Sequence, residues 1–84
     1  MVAYSPDGRY ALSGNSDNLV KLWEVSTGHE VRTFPGHTQA IGTVAYSSNG
    51  NYALSGSRDK TVKLWDVNTG QEIRTFKHTE GGNL

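Results

Sequence analysis

The chain has 84 residues, with eight basic and eight acidic side chains and no cysteine, which allows at most one small domain with no disulfide to reinforce it. The balanced, interspersed charge excludes the basic excess of a nucleic-acid binder, and no apolar run approaches the roughly 20 residues of a membrane helix. No basic segment followed by an apolar run opens the chain, so an intracellular, cytoplasmic protein with neither nucleic-acid nor membrane partner is expected.

Extended segments and turn signals alternate from the start. "VAYS" (2–5) predicts a first strand and "PDG" a turn, and "YALSG" (10–14) predicts a second strand. The polar turn "NSDN" (15–18) leads into "VKLWEV" (20–25), which is β-branched and aromatic in an alternating pattern. "STG" closes that strand, with Gly28 suited to positive φ, and "EVRTF" (30–34) predicts a fourth strand. After "PGHTQAIGT" the series returns as "VAYS", "SNG", "YALSG", "SRDK", "VKLWDV", "NTG" and "EIRTF", and "KHTEGGNL" ends the chain. No window shows sustained helical spacing of apolar residues.

The return is a repeat of 42 residues. Residues 2–34 match 44–76 with 22 identities in 33 positions. Counted from the histidines, 38–43 correspond to 79–84, and the next residue, Val44, is the counterpart of Val2. The tail therefore stops where the head begins, and the units run 1–42 and 43–84. Four strands of about five residues joined by tight turns make one antiparallel meander per unit. In such a sheet Val20 and Leu22 point to one face, Trp23 and Val25 to the other, so each sheet needs neighbours on both sides.

"SPDG" (5–8), "GHT" (36–38), "LSGSRDKTVKLWD" (54–66) and "TG" (69–70) together resemble two tandem WD repeats, the units of WD-repeat β-propellers. The resemblance spans residues 2–79 and departs from the family pattern at Trp23-Glu24 and at Lys77-His78, where a glycine is lost. It implies an all-β fold of two four-stranded propeller blades per chain. It also implies a buried hydrogen-bonded tetrad of His37, Ser55, Asp59 and Trp65 in the second blade. The first blade has Ser13, Asp17 and Trp23 but no preceding histidine, so His78 of another copy is expected to complete that set.

Propellers need about four to eight blades. Two blades per chain therefore lead to the expectation of a head-to-tail homo-oligomer that closes a ring, an eight-bladed tetramer first and a six-bladed trimer next. The joint is expected to be imperfect, because Gly82 stands where the internal copy has Ile41. A piece of a larger repeat array and an engineered repeat fragment are the alternatives for so regular a chain.

No catalytic chemistry stands out. The His–Ser–Asp set superficially resembles a hydrolase triad, but Ser55 lies mid-strand beside a tryptophan and no Gly-x-Ser-x-Gly elbow is present. The three histidines lack ligand spacing, so no metal or cofactor is expected. Lys21, Lys63, Arg32 and Arg74 read as solvated strand positions, and Tyr4, Tyr10, Tyr46 and Tyr52 as core-like ones. The resemblance implies a protein or peptide partner on one propeller face, at Ala40, Gly42, Arg58 and Ser16. A purely structural unit and a small-molecule or glycan receptor are the other function classes.

Overall fold

The computed structural model describes residues 1–77. Among these residues eight strands form two four-stranded antiparallel sheets, each in sequence order. The first holds β1 (Val2–Tyr4), β2 (Tyr10–Gly14), β3 (Val20–Glu24) and β4 (Glu30–Phe34). The second holds β5 (Ile41–Tyr46), β6 (Tyr52–Ser57), β7 (Thr61–Asp66) and β8 (Glu72–Lys77). The expected meander is present twice, with strand ends that differ from the expected segments by a residue in several places and by more in β5. Val25 falls outside β3, and β5 begins earlier than its "VAYS" core, at Ile41, with a register shift between Ile41 and Thr43. No helix among the described residues is long and apolar enough to cross a membrane.

Turn chemistry explains the spacing. The Ser5 hydroxyl donates to Asp7 Oδ1 (2.7 Å), which also accepts from the Arg9 amide. In the second sheet the Ser47 hydroxyl and the Asn51 amide use Asn49 Oδ1 in the same way. An aspartate and an asparagine interchange here because the turn needs only that acceptor oxygen.

The two sheets pack face to face. Leu12, Val20, Leu22 and Phe34 of the first sheet are buried, as are Val44, Ala53, Trp65 and Val67 of the second, with Ile41 between them. Phe34 and Trp65 meet across the joint with ring centroids 5.4 Å apart. "VKLW" occurs in both sheets, yet opposite faces of it are buried. In β3 these are Val20 and Leu22, and in β7 they are Lys63 and Trp65.

That asymmetry corrects several side-chain expectations. Lys63 is buried, with its ammonium on Glu72 Oε1 (2.7 Å) and the Thr75 hydroxyl (3.0 Å). Arg32 is half-buried and holds the backbone of the other sheet. Tyr10 and Tyr46 pack against the core, whereas Tyr4 and Tyr52 are exposed because no further sheet covers their faces.

Truncating Phe34, which is fully buried at the joint, removes its ring contact with Trp65 across the sheets. Phe34→Ala is expected to cost about 3–5 kcal/mol, read as a lower urea midpoint followed by tryptophan fluorescence.

Candidate functional site

The connection 35–40 and the turns 15–19 and 57–60 lie at one end of the sheets, since each meander returns there between alternate strands. At this end His37, on the connection, reaches down onto β6 and β7. The Trp65 indole donates to the Ser55 hydroxyl (2.8 Å), and Ser55 Oγ lies 2.7 Å from His37 Nε2. His37 Nδ1 lies 3.0 Å from Asp59 Oδ2. One consistent arrangement has each group donating to the next, from indole to hydroxyl to imidazole to carboxylate.

Asp59 is the terminal acceptor. It also takes hydrogen bonds from the Thr38 amide (3.0 Å), the Thr61 amide (2.9 Å) and the Thr61 hydroxyl. Burial pushes its carboxyl up, but the hydrogen bonds from Thr61, Thr38 and His37 outweigh this and hold it well below the usual carboxylate range. The network thus ties the inter-sheet connection to the 57–60 turn through a buried anion. Ser55 is fully buried, so its hydroxyl is a structural relay and cannot meet a substrate.

Thr61 is a member the sequence reading missed. The first copy has Leu19 at the position of Thr61, so the repeat does not mark it. Gly36, at φ 151°, is also part of the arrangement, since a Cβ there would come 3.1 Å from Trp65 Cη2.

In the first sheet only part of this set comes together. Trp23 donates to the Ser13 hydroxyl (2.8 Å), while Asp17 is exposed and accepts from the Leu19 amide (3.2 Å). His78 and Gly82 lie outside the described residues. Of the expected contact positions, Arg58 and Ser16 are exposed on the two equivalent turns, Gly42 is exposed and Ala40 is half-buried. The Arg58 amide bonds the Ala40 carbonyl (3.0 Å), so Ala40 and Arg58 share one patch.

At the opposite end an open crevice of about 260 Å³ separates the sheets, lined by Ser5, Asp7, Tyr10, Tyr46, Asn51 and Asn68, among others. Burial, then Asp7 and Tyr10, push the Tyr46 phenol up. On the outer surfaces, Val2 and Tyr4 of the first sheet and Val25 just beyond β3 are exposed, as are Tyr52, Leu54 and Phe76 of the second.

Comparison with known proteins agrees with this architecture. The family described as WD domain, G-beta repeat, matches residues 1–24 and 28–66. An uncharacterised WD repeat-containing protein of Nostoc sp. is 46% identical over 42 residues, covering 50% of this chain and 3% of the relative. Ribosome assembly protein 4 of Saccharomyces cerevisiae is 52% identical over 33 residues, covering 39% of this chain and 6% of the relative. Among solved structures, the β-propeller domain of Cps50 (Swd1) from Myceliophteria thermophila superposes with a TM-score of 0.88 at 30% identity, over 92% of this chain and 24% of that one. The chain thus spans a small part of the proteins it matches.

The lowered Asp59 carboxyl carries a sign. Its stabilising contribution is present above the unfolded-state value of about 3.9 and is lost as the pH falls below it. Asp59→Asn is expected to cost about 1–3 kcal/mol at pH 7. The gap from the parent chain in thermal melts should narrow steadily as the pH is lowered below about 4.

Proposed function

The chain belongs to the WD-repeat family, and from that premise we propose that it is a non-catalytic protein–protein interaction scaffold whose copies join head to tail into a closed propeller. The observation that carries this reading is the relation between its open and its buried faces. Leu54, Val62, Leu64 and Phe76 on the outer face of the second sheet are the counterparts of Leu12, Val20, Leu22 and Phe34, which are buried. Val2, Ala11, Trp23 and Val25 on the outer face of the first are the counterparts of Val44, Ala53, Trp65 and Val67, also buried. The chain therefore exposes both halves of the joint it has already made once internally. A heterologous contact of this kind either closes into a ring or grows without end, and in the closed form four copies give eight blades, or three give six. At the new joint Phe76 would face Trp23 of the next copy.

The partner surface in this reading is the end that carries the tetrad connection. Arg58 is its distinctive side chain there, with Ala40, Gly42 and Ser16 around it. That the yeast relative is called a ribosome assembly protein supports a role among protein assemblies. A second reading, a small-molecule or glycan receptor, is favoured by one observation. The crevice between the sheets is flanked by Tyr10 and Tyr46, and aromatic walls suit a sugar or similar ligand. A glycan array separates the two readings.

Native mass spectrometry at micromolar concentration is expected to give a four-chain species, with a three-chain species as the next outcome. A folded, strictly monomeric chain would overturn the ring. Phe76→Ala and His78→Ala should each weaken assembly more than His29→Ala, and equal effects would remove the roles given to Phe76 and His78.

A further inference from the structure

The joint within the chain is apolar at its centre and has a polar clasp near one end. Arg32, on β4, donates from Nη1 to the Thr69 carbonyl (3.1 Å) and from Nη2 to the Asn68 carbonyl (3.0 Å). Its Nε is buried and has no partner among the described residues, so these two carbonyls are the polar partners of the side chain. Gly70 makes the approach possible. A Cβ built there would stand 2.8 Å from Arg32 Cδ and 3.3 Å from Nη1, and the residue sits at φ +79°. The turn 68–70 is therefore a receptacle made of two carbonyls and a bare Cα, and Arg32 fills it.

Both halves of this clasp recur without a mate. Arg74 pairs with Leu64 across the sheet as Arg32 does with Leu22, so the two arginines hold the same strand position and face. Arg74 is exposed, and it makes no hydrogen bond or ion pair among the described residues. It shares the outer face of the second sheet with Leu54 and Phe76. The turn 26–28 repeats the turn 68–70. Gly28 is at φ +74°, and its amide bonds the Glu24 carbonyl at 2.8 Å, as the Gly70 amide bonds the Asp66 carbonyl at 2.8 Å. Nothing stands within 4 Å of a Cβ built at Gly28, so this second receptacle is open.

We propose that Arg74 of one copy clasps the Ser26 and Thr27 carbonyls of a second copy across the Gly28 turn, and that this contact sets the direction and register of the joint between chains. The proposal rests on the head-to-tail reading above and adds the residue that specifies it. The apolar faces alone are permissive, since aliphatic and aromatic side chains tolerate sliding. A planar guanidinium fork bonding two carbonyls tolerates little. Only one direction of approach puts Phe76 on Trp23 and Arg74 on the 26–28 turn at the same time. A second copy is the matching occupant because it carries the receptacle and the opposing apolar face in the arrangement already seen inside one chain.

The test uses the full 84-residue chain and the variants Arg74→Ala, Arg74→Lys and Gly28→Asn, followed by native mass spectrometry and sedimentation over a concentration series. Asparagine tolerates positive φ, so it fills the receptacle while the turn persists. Arg74→Ala and Gly28→Asn are each expected to raise the dissociation constant of the joint at least about tenfold. Circular dichroism of the separated chains should not change. Arg74→Lys, which keeps the charge and loses the fork, should fall between. Mixing Arg74→Ala with Gly28→Asn should restore discrete pairs but not rings, because the mixture holds one intact donor and one intact receptacle. If the parent chain assembles and both variants match it within about twofold, the clasp is wrong and the ring stands. If the folded parent chain remains monomeric, the ring reading fails and takes the clasp with it.

Discussion

A blade of this kind has no dry side of its own. Each sheet carries apolar side chains on both faces, so one face can be covered only by leaving another neighbour to cover the second. The internal joint meets that demand once, through Phe34 against Trp65 and through Leu12, Val20 and Leu22 against Val44, Ala53 and Val67. Everything else in the molecule follows from how this joint is made and where it stops. Burial here is a property of position in a stack, which is why "VKLW" buries its aliphatic residues in one copy and its lysine and tryptophan in the other.

The polar parts of the structure serve the same joint. Lys63 is buried and keeps its charge satisfied through Glu72 and Thr75. Hydrogen bonds from Lys63 and Thr75 in turn hold the Glu72 carboxyl below its ordinary value against the effect of burial. The tetrad uses a buried carboxylate in a comparable way. Asp59 sits at the end of a hydrogen-bonded chain that starts at the Trp65 indole, and it gathers donors from the connection that crosses between sheets. A network of this sort is costly when incomplete. In the second blade it is well supplied, and the described part of the first blade contains its indole–hydroxyl half.

The apolar and polar contacts divide the work. Apolar burial supplies the drive to stack and is largely indifferent to small displacements. The arginine on a pair of turn carbonyls and the histidine that bridges a connection to the neighbouring strands are directional, and they define how one blade sits on the next. The exposed end that bears Arg58 and Ser16 is built from turns that bond the connection and β5, through the Arg58 amide on the Ala40 carbonyl and the Ile41 amide on the Asn15 carbonyl.

The sequence by itself determined the repeat, its period, the eight strands and the turns between them. All of these rest on local chemistry, namely alternation, β-branched runs, glycine at positive φ and the Ser–Asx turn, and such chemistry reads the same in both copies. The pairing of His37, Ser55, Asp59 and Trp65 was legible only through the resemblance of the motifs, and Thr61 was missed because its counterpart Leu19 broke the repeat at that position. The tertiary structure alone decided which face of each blade is dry. Lys63 and Arg32 read as solvated from their residue type, and Tyr4 read as core. The structure buries Lys63, half-buries Arg32 and exposes Tyr4, because burial depends on which neighbour lies on a given face, and two nearly identical stretches of sequence have different neighbours.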